Sequence, residues 1–245
     1  MSVRQRLFVC VWIQVVTLTT ASGAQPVDEV GVGIFSELAP GAPPAGWEPL
    51  RFPNIDEDTA YSLVVVHDVH DPDDDGRVVL QADSRMSASA LITEVNVDPD
   101  RLPFLHWSWA TGPDCFSGSW REPDADDFPL RLFVIFQESG GLFSFFKRLR
   151  PGFRGDAILY VSDAPSQPAV DPSSLTSSRI KIVPLAQPEP ADAWGQQTRN
   201  VHDDYVDLFG HAPRDVAAVA VMTDTDNSRT ECVSHFGDIY FSKGD

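Results

Sequence analysis

The sequence predicts an all-β, mainly antiparallel β-sandwich, and three observations carry the prediction. Apolar residues recur with a period of two rather than 3.6 along most of the chain, Pro and Gly clusters cut those runs at short intervals, and helical stretches are few. Many short strands separated by turn signals fit two packed antiparallel sheets.

The strands follow in order. Residues 61–67 (YSLVVVH) are β-branched and aromatic, the composition that suits a pleated surface. Residues 77–82 and 89–95 come after an acidic, Gly-closed turn at 71–76. In 104–110 (FLHWSWA), Trp107 and Trp109 are two apart and so share one face. Residues 130–137 (LRLFVIFQ) and 216–223 (VAAVAVMT) are apolar on both faces, as in strands buried on both sides. Residues 156–162 and 179–184 flank a Pro-rich stretch at 164–172, and 235–241 (HFGDIYF) is the last strand. One helix stands out: Asn200 is placed to cap a segment in which Val201, Tyr205, Leu208 and Phe209 share a face, Asp203 and Asp204 sit in the first turn, and Gly210 ends it. A second, weaker helix candidate spans 142–149. No internal repeat or linker divides the chain, so one sandwich domain is expected over 25–245.

Residues 1–24 have the layout of a secretory signal peptide: a basic start at Arg4 and Arg6, an apolar middle too short to span a bilayer, and a small-residue end at Ala24. The expected location is periplasmic or secreted, with no stable membrane insertion after leader removal. A formal charge of −18 makes nucleic acid a poor partner, and leaves cations and neutral polar ligands open. With Cys10 in the leader, Cys115 and Cys232 remain, and export favours a disulfide between them.

Four constellations could carry function. Asp71, Asp73, Asp75 and Gly76 match the start of a calcium loop, but Ala82 stands where the terminal Glu belongs, so at most weak calcium binding is expected and no other cofactor. Trp107 and Trp109 could stack on sugar rings or belong to the core. Asp126 and Asp127 lead into the strand holding Arg131, and a buried guanidinium needs a carboxylate, with Asp126, Asp127, Asp224 and Asp226 as candidates. The alternative role of these acids, with Asn227, is as ligand contacts at the TDTDN turn. The fourth is WGQQTRN (residues 194–200), whose aromatic, amide and cationic groups, Arg199 among them, suit a polar ligand. No nucleophile elbow, HExxH, P-loop or Rossmann glycine pattern is present.

MTDTDN, FGDIYF, RNVHDDYVDLFGHAP, DDFPLRLFVIF, Thr59 with Tyr61, SASALI, VDPDRLPFLHWSW and GWEPLRF together make the chain similar to a bacterial family, domain of unknown function 3047. The resemblance covers most of the chain after the leader. It implies an exported, jelly-roll-like sandwich similar to carbohydrate-binding modules, with no established activity. The chain departs from the family pattern at YVSD (160–163), where a tryptophan is expected nearby, and in its two cysteines. The combined expectation is an exported sandwich that binds a polar ligand, with a glycan or cell-envelope polysaccharide as the leading class, through Trp107, Trp109, Arg131 and the acidic loops. A polysaccharide hydrolase or lyase using acids such as Asp126 and Asp224 is the alternative, and a structural envelope protein the second.

Overall fold

The computed structural model describes residues 28–53, 55–67, 75–112, 115, 126–137, 155–163, 179–188 and 193–244. Asp71, Asp73 and the helix candidate at 142–149 lie outside them. The described residues form twelve strands and one α-helix: β1 (Glu29–Gly33), β2 (Trp47–Arg51), β3 (Ala60–Val66), β4 (Arg77–Arg85), β5 (Ala88–Val97), β6 (Phe104–Thr111), β7 (Arg131–Phe136), β8 (Ala157–Asp163), β9 (Ile180–Ala186), β10 (Gly195–Asn200), α1 (Val201–Phe209), β11 (Val216–Asp224) and β12 (Glu231–Ser242). Nine strands match the period-two runs. The three that the periodicity missed are β1, β2 and β10, which are short and contain Gly, Pro or Gln; β2 and β10 lack an apolar alternation, and β1 has only two alternating valines.

The strands form two six-stranded sheets. Sheet A runs β10-β6-β12-β4-β3, with β1 also on β12; sheet B runs β2-β5-β11-β7-β8-β9. From β4 to β7 and again from β10 to β12 the chain crosses from one sheet to the other at each strand, the jelly-roll-like path. Every pairing is antiparallel except β8 with β9. Pro49 in β2 and Pro184 in β9 occupy the two edge strands of sheet B, where a missing N–H is tolerated.

The core lies between the sheets. Leu105, Trp107 and Trp109 of β6, Leu80 and Ala82 of β4, and Phe236, Ile239 and Phe241 of β12 meet Leu132, Val134 and Phe136 of β7, Tyr160 of β8, and Val219 and Val221 of β11. All nine residues of β11 are buried, as its unbroken apolar run requires in the middle of a sheet covered on both faces. On β12 the inward residues change phase, since Phe236 and Ile239 are three apart. A bulge between them absorbs the extra residue. Gly237 sits there because a Cβ would come within 2.1 Å of the Ser108 hydroxyl.

Helix α1 is held by the predicted caps: Asn200 Oδ1 accepts from the Asp203 N–H, and Gly210 adopts the left-handed conformation at φ 78°. Its apolar face docks through Tyr205, whose ring centroid is 4.5 Å from those of Phe136 and Phe209. The Tyr205 hydroxyl donates to Asp156 and the Tyr160 hydroxyl to Asp204, both at 2.7 Å, so one tyrosine bond runs each way between helix and β-sheet side.

Candidate functional site

The strand phase of β6 decides where the aromatic site is. Trp107 and Trp109 point inward and are 3% and 0% exposed. Trp107 packs on Tyr160 with centroids 5.3 Å apart, and Trp109 covers Gly195, where a Cβ would approach its ring to 3.0 Å. Neither indole offers a face to a sugar, which corrects the reading of this pair as a binding platform. Their area went into packing, the ordinary use of large aromatics.

The acidic loops are likewise turned inward. Arg131 begins β7 with its side chain 7% exposed and bonds Asp224, 4% exposed, through Nε–Oδ1 at 2.8 Å and Nη2–Oδ2 at 2.7 Å. Asp224 Oδ1 also accepts the Phe128 N–H, and Arg131 Nη2 donates to the Asp126 carbonyl and carboxylate. Asp127 is buried and accepts the N–H groups of Asn227 and Ser228, which shapes the TDTDN turn. Asp224 and Asp127 therefore serve the fold, which corrects their assignment as ligand contacts and removes Asp224 as an acid or base for a substrate. The carboxylates of Asp127, Asp224 and Asp226 offer oxygens all within 4.8 Å of one another, a donor set for a hard cation, but the first two are already engaged by protein donors. Half-buried Asp226 is raised above the usual carboxylate range by burial and by Asp127.

The T-x-Y of the family resemblance supports the same end of the sandwich. Thr59 Oγ1 donates to the Thr223 carbonyl and Tyr61 OH to the Ser89 carbonyl, tying β3 across to sheet B. Cys115 and Cys232 are joined by a disulfide spanning 117 residues of sequence. Of the calcium-loop acids, Asp75 is exposed and is followed by Gly76 at φ 81°.

Burial pushes the Asp224 carboxyl up to about 6 from its ordinary 3.8, against the pull of Arg131 and the Phe128 N–H. The unfolded chain thus releases this proton first. The stability linked to it is present at acid pH and is lost as pH rises through about 6. Repulsion within a chain of charge −18 acts in the same direction. Thermal melts are expected to give a higher Tm at pH 4.5 than at pH 7; a Tm that rises over that interval contradicts the assignment.

WGQQTRN becomes β10, the edge of sheet A, and alternation divides its residues. Arg199 turns inward and is held by both Asp204 oxygens, with Nε–Oδ2 at 2.9 Å, so it braces α1 rather than facing a ligand. Trp194, Gln196 and Thr198 fall on the outer face. They meet there the residues that alternate with the buried tryptophans, His106 and Ser108 of β6, together with Gln81 of β4 and His235, Tyr240 and Ser242 of β12. His106 stacks on Tyr240 with centroids 4.6 Å apart and planes 12° from parallel, and its nitrogens lie 3.0 Å from Thr198 Oγ1 and 2.8 Å from Ser242 Oγ. Trp194 lies 6.4 Å from His235, with the Arg77 guanidinium 4.0 Å over its ring. Desolvation holds His235 below its ordinary pKa, and its Nε2 lies 3.3 Å from Gln81 Oε1. Acids bordering the face have partners: Asp238 accepts from Ser36, and Asp83 from Arg85. Sequence reasoning singled out WGQQTRN but missed the partners of its outward residues on β6, β12 and β4, because FLHWSWA drew attention to its tryptophans; the signal was the other phase of the same strand.

A family model described as "Protein of unknown function (DUF3047)" matches residues 45–240. The chain belongs to the DUF3047 family. The match runs from just before β2 into β12, so it takes in sheet B, sheet A apart from β1 and the end of β12, α1, and every named residue of the outer face except Ser242. No curated protein matches the chain. Among solved structures, a family 11 carbohydrate-binding module of a cellulosomal cellulase of Clostridium thermocellum shares 7% identity over 90% of this chain and 97% of its own, with a TM-score of 0.42. A family 30 carbohydrate-binding module of the same organism shares 11% identity over 89% and 98%, at 0.38. The K3 cleaved adhesin domain of Lys-gingipain from Porphyromonas gingivalis shares 10% over 88% and 99%, at 0.35.

Proposed function

We propose that this DUF3047 protein is an exported β-sandwich that binds a polar ligand, a glycan, on the outer face of sheet A. One observation carries the reading: across β10, β6, β12 and β4 the outer face sets aromatic rings, amides, hydroxyls and imidazoles (Trp194, Gln196, His106, Tyr240, His235, Gln81), half-buried or exposed, around buried Val79 and Ala110, in a chain otherwise crowded with carboxylates. Sugars have this dual character, with C–H faces that meet aromatic surface and hydroxyls that pair with amides and hydroxyl groups. Sheet strands fix the spacing of these side chains, so little ordering is required on binding. Export rests on the leader-like residues 1–24.

The test is calorimetric titration of the mature protein with a panel of neutral and acidic oligosaccharides, with chromatography of each mixture after long incubation. Binding of at least one oligosaccharide without product release is expected, weakened tenfold or more by Tyr240→Ala. Absence of binding across the panel at millimolar concentrations overturns the proposal, and product release turns it toward the hydrolase or lyase.

A further inference from the structure

We infer that the glycan carries a carboxylate, as a uronic acid unit does, and that Arg77 on Trp194 forms the subsite that receives it. The inference rests on the glycan-binding reading above and adds the charge class of the sugar.

Cations are scarce here, with 18 Lys and Arg against 36 Asp and Glu, so each basic side chain has acids to choose from. Arg51, Arg85, Arg131, Arg179 and Arg199 all pair with a carboxylate. Among the described residues Arg77 does not, and neither do Arg101, Arg214 and Arg229, but those three are exposed whereas Arg77 is half-buried. Its guanidinium lies 4.0 Å over the Trp194 ring. The acid nearest on its own face of β4 beyond Gln81 is Asp83, which takes two hydrogen bonds from Arg85.

Contact with a ring face uses none of the five N–H donors of a guanidinium, all of which lie in its own plane. Arg77 is therefore a half-buried cation, positioned by an aromatic neighbour, whose planar fork has no acceptor among the described residues. A carboxylate meets that fork with its two oxygens, as the oxygens of a phosphate or sulfate also do, and it is the acid group a sugar carries as part of its own carbon skeleton. Next to it, His235 lies 6.4 Å from Trp194 and engages Gln81 Oε1, which leaves the Gln81 amide N–H groups as donors for a sugar hydroxyl. A cation, an aromatic ring and a neutral amide side by side fit a sugar bearing one acid group better than a fully neutral one. The overall negative charge of the chain sets a long-range repulsion that salt screens, whereas the contact at Arg77 is short-range.

The experiment titrates the mature protein with oligogalacturonate, oligoglucuronate and oligomannuronate, each beside the neutral oligomer obtained from it by carboxyl reduction. At least one acidic oligomer is expected to bind ten times or more tightly than its reduced counterpart, with that preference lost in Arg77→Gln and partly retained in Arg77→Lys. Equal affinity for acidic and reduced oligomers overturns the carboxylate subsite and leaves glycan binding standing. Unchanged acidic binding by Arg77→Gln also overturns it. Binding of neither form removes the glycan reading and this inference with it. The comparison of acidic with reduced oligomers on the unmodified protein decides the matter even if the variants fold poorly.

Discussion

Asp224→Ala is expected to lower stability by about 3–5 kcal/mol at pH 7, read as a shift of the urea midpoint. The Arg131 guanidinium is nearly fully buried and has Asp224 on two of its nitrogens. Removing that carboxylate leaves Arg131 with the Asp126 side chain and carbonyl alone, while the Phe128 N–H loses its acceptor. A buried charge deprived of most of its partner costs far more than the pair contributes, because desolvation of the ion has already been incurred. Replacing both members by apolar residues of similar size, as in Arg131→Met with Asp224→Leu, is expected to recover most of the loss. A midpoint for Asp224→Ala within about 0.5 kcal/mol of the unmodified protein would show that Arg131 finds solvent or another acid.

The second large effect separates the two kinds of tryptophan. Trp109→Ala is expected to cost about 3–5 kcal/mol, because a fully buried indole is lost from between the sheets and leaves a cavity beside Gly195. Trp194→Ala, on the half-buried outer face, is expected to change stability by about 1 kcal/mol or less while weakening glycan binding at least tenfold. Urea unfolding and a binding titration on both variants check the contrast. Comparable stability losses in the two, with binding intact in Trp194→Ala, would remove the outer face from consideration.

Much of the fold is written in the local pattern. Period-two runs marked the strands whose alternating or continuous apolar residues line the core, and the cap at Asn200 with Gly210 marked α1. Of the edge strands, β3 and β9 were legible, whereas β2 and β10 bury little and so carry no apolar alternation; β1, on β12, is five residues long with two glycines and only two half-buried valines. Phase was the harder problem. A strand such as FLHWSWA states that Trp107 and Trp109 share a face but not which face meets the other sheet, since that depends on the register of β12 and β10. In HFGDIYF the bulge at Gly237 moves Tyr240 outward and Phe241 inward, a shift that no fixed period foretells. The acidic turn left two readings open: the apolar run around Arg131 implied a buried guanidinium in need of a carboxylate, but which of the four acids reaches it depends on the register of β7 against β11. The outer face pairs residues more than ninety positions apart, such as His106 with Thr198, and only the sheet order brings them together.

The indole N–H signals of the tryptophans, followed by heteronuclear NMR while an oligosaccharide that binds is added, test the central claim most directly. Binding on the outer face of sheet A moves the Trp194 signal and leaves those of Trp107 and Trp109 in place, since both lie in the core. Movement of the Trp107 and Trp109 signals with Trp194 unchanged would contradict the account.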